Sequence, residues 1–469
     1  MKKKIVAILG GGLTGISAGI YLARNNFEPH IFEKEDQMGG LVAGKIINNN
    51  IYEYGPHFFH SNNPQILNEI KEIVGNDLIN FERTILIKFM DKYFTYPLSV
   101  IEVFKKMPKL VVLNAIFELV KSNIKGVFVK PKVQNSEILL LTFYGKILYE
   151  MFFKNYIYRV WGIYPDKFSP RFAQERIPKI SASIFLNKLI SPFRAKFSKK
   201  KIKDFVENVD GKFFTTKMGY RGINEKLIEH FFKNGGFIHL NSDVEEVIIN
   251  NNKVEKIKII QNISKDNQYA EKEFYCDAII NTIPITELVK KIRPEVPKEI
   301  QDAANSLEYR SLVFVGILVQ KEKVLTVSFM YFREHSFNRI YDSSYFGHDT
   351  VSPNTTIIVC EISSSGSDRW WEDDEYCIKK VISDLEREKI IEEKDIVETH
   401  VYRYRYGYPV YKLGFENNLK TIMKFINDIE NMETAGRQGL FQYINGHIAI
   451  QMGFDAAEKI INSLNNISI

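Results

Sequence analysis

An α/β fold is predicted: a discontinuous Rossmann-type dinucleotide-binding domain, interrupted by a helical segment and an antiparallel-sheet segment. Three observations predict it. A glycine signature, Gly10, Gly12 and Gly15, lies between an apolar run at 4–9 and a segment of helical spacing at 14–24. Glu33 closes the next apolar run, about 20 residues further on, as a dinucleotide fingerprint requires. The pattern then changes: apolar residues recur at three and four between 99 and 154, short alternating runs begin at 213, and a Gly-Arg junction at 436–437 precedes a last helical stretch at 448–464.

Each element has a physical reason. The run 4–9 reads as a buried strand and 30–33 as a second strand ending in a carboxylate. The first glycine permits the tight turn, the second lets a pyrophosphate approach the backbone, and the third lets helix and strand pack closely. The helix start offers free N–H groups and a positive dipole end to phosphates. Glu33 is placed to accept hydrogen bonds from ribose hydroxyls. Lys2, Lys3 and Lys4 precede apolar residues as in a secretion signal, but glycines cut that stretch after Leu9 and no small-residue cleavage site is in place. The paired Gly39 and Gly40 let the chain run close beneath a ring system.

The order of these patterns predicts a cofactor domain from 1–85, 211–285 and 420–469, a mainly helical substrate domain at 86–210 and a sheet-rich substrate domain at 286–419. The apolar stretch 138–153 is interrupted by Lys146 and Glu150, so it reads as a buried helix and not a membrane span. Strand runs at 244–249 and 254–260 flank an Asn-rich turn, which predicts a hairpin, and 277–282 reads as a short buried strand. Residues 368–375 read as a helix start with acidic residues facing the dipole, and 419–428 as a helix. In 401–408 Tyr402, Tyr404, Tyr406 and Tyr408 share one face and Arg403 and Arg405 the other, which fits either an ordinary sheet face or a tyrosine-lined pocket wall.

The chain has 469 residues, 45% of them hydrophobic, ample for a large core in two or three domains. A net charge of +6 is mild, and the run Lys199, Lys200, Lys201 and Lys203 reads as a solvated loop, so no nucleic-acid partner is implied. Cys276, Cys360 and Cys377 form no C-x-x-C, which fits a reduced, cytoplasmic protein without a disulfide framework. No metal-ligand spacing and no serine nucleophile elbow is present in the sequence.

The signature at 10–15, Glu33, the Gly39-Gly40 pair and Gly55-Pro56-His57-x-x-His60 together resemble the UDP-galactopyranose mutase family, flavoproteins related to amine oxidases and protoporphyrinogen oxidases. Further matches run through the chain. Segment 156–162 resembles the family's Tyr-x-x-x-x-Trp-Gly, which implies Tyr156 stacked on uracil and Trp161 near the sugar. Arg176-Ile177-Pro178 resembles the mobile substrate loop, and Val247 falls on a strand like one that makes a backbone contact to FAD. Segment 307–312 resembles a stretch whose arginine, here Arg310, binds diphosphate, and Tyr408-Pro409-Val410 one whose tyrosine touches phosphate. Gly436-Arg437 resembles the Gly-Arg beside the flavin. Two positions depart: Phe337 stands where the family has a phosphate-binding tyrosine, and Asn445 where it has an aspartate. Residues 439–453 are more similar to a broader group of flavin oxidoreductases.

The resemblance implies FAD as cofactor, active in its reduced form if the chain is a mutase. The reaction would interconvert the pyranose and furanose rings of a UDP-linked sugar for cell-surface polysaccharides. It also implies an external reductant such as NAD(P)H, and a homodimer is compatible with it. His57 and His60 would lie by the flavin, with Arg176, Arg310 and Tyr408 steadying the diphosphate. Two other readings stay open here: an FAD-dependent oxidase or desaturase, and a non-catalytic flavin- or nucleotide-sugar-binding protein.

Overall fold

The computed structural model describes residues 2–96, 100–115, 117–118, 134–177, 212–262 and 269–466. The lysine run at 199–203 and Pro178 lie outside them.

The nucleotide half forms as the pattern predicts. Strand Ile5–Leu9 sits at the centre of a five-stranded parallel sheet, flanked by Ala278–Asn281 and Glu28–Phe32, with Met432–Thr434 and Phe237–His239 outermost. Val6, Ala7, Ile8 and Leu9 are completely buried because helices cover one face, over Val6 and Ile8, and a second sheet packs on the other, over Ala7 and Leu9. Each buried Ile or Leu contributes about 1.5–3 kcal/mol relative to exposure. Helix Leu13–Arg24 packs on this sheet beside the last helix, Gly446–Asn466, which also touches the sheet. The five strands come from five separated stretches of sequence, so the domain is discontinuous.

A second sheet orders Tyr269–Tyr275, Lys253–Asn262, Ser242–Asn250 and Ile292–Arg293. It contains the predicted hairpin, turned by Asn251 and Asn252 at positive φ. A third sheet has seven strands, in the order Ile396–Val410, Glu308–Val319, Thr356–Ser364, Arg339–Asp342, Phe329–Phe332, Ile85–Phe89 and Lys92–Thr95. The last two strands lie at the start of the segment assigned to a mainly helical domain, ahead of the helical pattern at 99–154. Met90 and Asp91, both at positive φ, turn them into a tight hairpin whose first strand pairs in parallel with Phe329–Phe332. The apolar stretch 138–153 is helical but not straight: helix Ser136–Tyr149 bends at Gly145, where φ is 71°. Asp368 and Asp373 cap the two helices that begin inside 368–375. No helix of the described residues is long and apolar enough to cross a membrane.

The alternation at 401–408 breaks. Leu312 pairs with Tyr404 and Arg310 with Tyr408, so three residues on one strand face one on the other. Tyr402 stays inside the sheet core, stacked on Phe314 at 5.3 Å. Arg403, Tyr404, Arg405, Tyr406 and Tyr408 all border one cavity, because the bulge turns both faces of the strand toward it.

Candidate active site

That cavity, of about 860 Å³, runs from the first glycine turn to the inner face of the seven-stranded sheet. Its size falls within the range of small-molecule sites, roughly 300–1,000 Å³.

At the glycine end the three positions do three different jobs. Gly10 turns at φ 97°. A Cβ on Gly12 would meet nothing within 4 Å, so the backbone there is open to a ligand. A Cβ on Gly15 would lie 2.1 Å from the Gly10 carbonyl oxygen, so only glycine closes the helix onto the turn. Glu33 is buried, and burial raises its carboxyl above the usual carboxylate range. Its oxygens accept from the Gly11 N–H at 2.8 Å and the Glu35 N–H at 3.0 Å, each keeping a lone pair for a hydroxyl donor. The Gly39 N–H bonds the Gly11 carbonyl at 2.7 Å, so the second glycine segment lies directly against the first. Gly10, Gly12, Glu33, Gly39 and Gly40 line the cavity. Gly15 stands behind it as packing, and Gly436 (φ 80°) sits against Thr14.

The opposite end is cationic. Arg176 places its guanidinium carbon 3.2 Å from the centre of the Tyr443 ring, and that of Arg437 lies 4.6 Å from the same ring. Neither arginine has a carboxylate within ion-pair distance among the described residues. Arg339 is paired to the buried Glu361, which also accepts the Tyr408 hydroxyl at 2.9 Å. Burial works to raise the Tyr443 hydroxyl, but Arg176 first, then Arg437 and Arg339, outweigh it and hold the phenol below its ordinary value. His57 and His60 also line the cavity. Burial, followed by the charges of Arg339 and Arg437, pushes His57 down to about 3, so its imidazole is neutral at physiological pH. Its Nδ1 is buried without a hydrogen-bond partner.

Several predicted site residues stand outside this cavity. Arg310 bonds the carbonyls of Val160 (3.2 Å) and Ser363 (3.4 Å) and is packed against Gly162. Its partner across the strand pair, Tyr408, borders the cavity in its place. Trp161 is buried among Phe168, Phe172 and Tyr408, with Arg176 5.9 Å from its ring, so it backs the wall without forming it. The Tyr156 ring faces the guanidinium of Arg333 at 5.6 Å. Val247 is completely buried between Ile257 and Ile292, and Val244 on the same strand borders the cavity instead. A register shift between Val244 and Glu246 separates the two positions. Sequence reasoning missed Arg339 and Tyr443 as cavity residues. Both lie in segments with a family likeness, but only the fold brings them beside Arg176.

A family model described as flavin containing amine oxidoreductase matches residues 13–416. This chain belongs to that family. The flavin containing amine oxidoreductases carry a flavin, and the residues fit one. The open Gly12 backbone, the Glu33 lone pairs and the unpartnered His57 nitrogen all meet one continuous cavity. Gly12 and the first turn of Leu13–Arg24 would hold the diphosphate of FAD, and Glu33 a ribose.

Among relatives, a protein named "Probable UDP-galactopyranose mutase" from Klebsiella pneumoniae is 25% identical over 181 residues, 38% of this chain and 46% of that protein. A UDP-galactopyranose mutase from Mycoplasma genitalium is 31% identical over 108 residues, 22% of this chain and 26% of its own. A dTDP-fucopyranose mutase from Escherichia coli is 23% identical over 176 residues, 37% and 45% of the two chains. The match thus spans less than half the length of these curated relatives. Among solved structures, that of a reduced UDP-galactopyranose mutase superposes with a TM-score of 0.80 at 18% identity, covering 98% of this chain and 94% of that one. Putrescine oxidase bound to putrescine gives 0.59 at 13% identity, over 98% and 99% of the two chains. These likenesses establish the fold: an FAD-dependent oxidoreductase architecture.

Proposed function

We propose that this chain is an FAD-dependent nucleotide-sugar mutase, an isomerase of the UDP-galactopyranose/galactofuranose type serving cell-surface polysaccharide synthesis. One observation carries the reading: Arg176 and Arg437, unpaired with any carboxylate among the described residues, flank Tyr443 inside the cavity, with Arg339 beside them. An ammonium substrate would be repelled there, and a hydrocarbon substrate would leave the Arg176 charge buried with no anion beside it. A diphosphate offers such arginines bidentate acceptors. The mutase names among the relatives support the same substrate class.

When bound and reduced, the flavin supplies the nucleophile for the sugar's anomeric carbon. The chain's own residues do the rest. Arg176 and Arg339 bind the diphosphate and stabilise the charge it gains on leaving. Neutral His57, which also borders the cavity, can accept or donate a hydrogen bond there without adding charge. Tyr408 positions Glu361, and through it Arg339. On this reading NAD(P)H or a similar external reductant keeps the flavin reduced, in the cytoplasm.

The test is turnover. Dithionite-reduced holoenzyme given UDP-galactose should form a furanose product with no net oxidation, and Arg176→Ala should weaken UDP-galactose binding without releasing FAD. Flavin bleaching by an oxidisable amine under anaerobic conditions, with no furanose formed, would instead establish the oxidase alternative.

A further inference from the structure

We infer that Tyr331 is a substrate-binding residue, donating its hydroxyl hydrogen to a phosphate oxygen of the anion held by Arg176 and Arg339. The inference rests on the anion-site reading above and adds to it a residue that no sequence motif marked.

Register places the side chain. In the antiparallel pair of Phe329–Phe332 with Arg339–Asp342, Tyr331 stands directly opposite Arg339. Directly opposed residues project from the same face of a sheet. Phe329, Tyr331 and Arg339 accordingly border the cavity, while Met330, Phe332 and Ile340 point the other way into a buried apolar cluster. Phe337 belongs to that same cluster and is completely buried. A hydroxyl at position 337 would therefore lie on the wrong side of the sheet to reach the cavity.

Elimination then identifies the donor. The Tyr408 hydroxyl is committed to Glu361 at 2.9 Å. Tyr443 is taken up by the arginines themselves, its ring covered by the guanidinium groups of Arg176 at 3.2 Å and Arg437 at 4.6 Å. The Tyr331 hydroxyl opens on the cavity and has no hydrogen-bond partner among the described residues. Burial pushes it up to about 12, with Arg339 opposing, so it remains a protonated donor across the physiological range. Phe329 and Tyr96 pack their rings against Tyr331 at 5.5 and 6.1 Å and restrict its orientation. A held phenol beside two guanidinium groups suits a tetrahedral anion, because it adds a third direction of donation at no cost in charge.

The experiment titrates FAD-loaded wild type, Tyr331→Phe and Arg176→Ala with UDP and with inorganic pyrophosphate, following flavin absorbance or heat. Loss of a hydrogen bond to a charged acceptor should raise both dissociation constants for Tyr331→Phe about 10- to 150-fold. FAD content and melting temperature should stay at wild-type values. Tyr331→Phe affinities within about twofold of wild type, while Arg176→Ala loses binding, would overturn the Tyr331 assignment and leave the anion site standing. Wild type that binds neither probe would overturn both. Wild type that binds pyrophosphate through Tyr331 yet turns over no UDP-sugar would overturn the mutase reading alone.

Discussion

Replacing Gly12 by alanine separates the protein's own needs from those of its cofactor. Gly12 has φ −77° and ψ 178°, an extended conformation open to any residue. The added methyl would meet nothing within 4 Å. The apoprotein should therefore be unharmed, or stabilised by about 0.4–1 kcal/mol through a less flexible unfolded chain. The bound dinucleotide is affected differently. The methyl occupies the surface over which its diphosphate must approach, holding it away from the N–H groups that begin helix Leu13–Arg24. Each hydrogen bond to a charged acceptor contributes about 1.5–3 kcal/mol, so losing one costs that much. That is about 10- to 150-fold in the FAD dissociation constant. The assay is quenching of FAD fluorescence on titration into apoprotein, paired with apoprotein melting. Gly15→Ala is the contrasting variant: its Cβ falls 2.1 Å from the Gly10 carbonyl, so it should destabilise even the apoprotein, by about 1–3 kcal/mol. A Gly12→Ala protein that binds FAD within about threefold of wild type, or melts earlier as apoprotein, would refute the reasoning.

Two buried titratable groups give further expected outcomes. Burial raises the Glu53 carboxyl to about 8, against the opposing Tyr220 N–H bond. The folded state thus holds a proton that the unfolded state releases, and this stabilisation is whole below the carboxyl's usual pKa of 4.5 and fades as pH rises toward 8. Glu53→Gln keeps the acceptor for Tyr220 and cannot titrate, so its melting temperature should gain on wild type as pH rises from about 5 to about 8. A constant difference across that range would refute the assignment. Tyr443→Phe should remove the earliest phenolate absorbance step in an alkaline titration of the holoenzyme, because Tyr443 is the phenol its arginines acidify most directly. An unchanged first step would mean the arginines do not act on that ring.

The glycine turn, Glu33 and the Gly-Pro-His segment were legible because they act through local chemistry. A tight turn, a helix start and a carboxylate at a strand end depend on residues close in sequence. The cationic wall was legible only in part. Arg176 and Tyr408 reach the cavity, whereas Arg310 turns into the sheet's own carbonyls. Nothing local distinguishes an arginine that faces a cavity from one that closes backbone bonds behind it. The hairpin at 85–95 was not legible ahead of the helical pattern at 99–154, since its first strand takes its pairing from residues more than 200 positions away.

The order of residues alone therefore determined a dinucleotide-binding turn, a buried parallel sheet and a flavin-family architecture. Which side chains meet across the cavity was decided by strand register. Side-chain direction reverses with every residue along a strand, so a one-residue shift such as that beside Val244 redirects every side chain beyond it, and the bulge opposite Arg310 re-aims the side chains within it. Strand pairing in the assembled fold sets those irregularities, and only the tertiary structure brings Arg176, Arg339, Arg437 and Tyr331 to line one cavity.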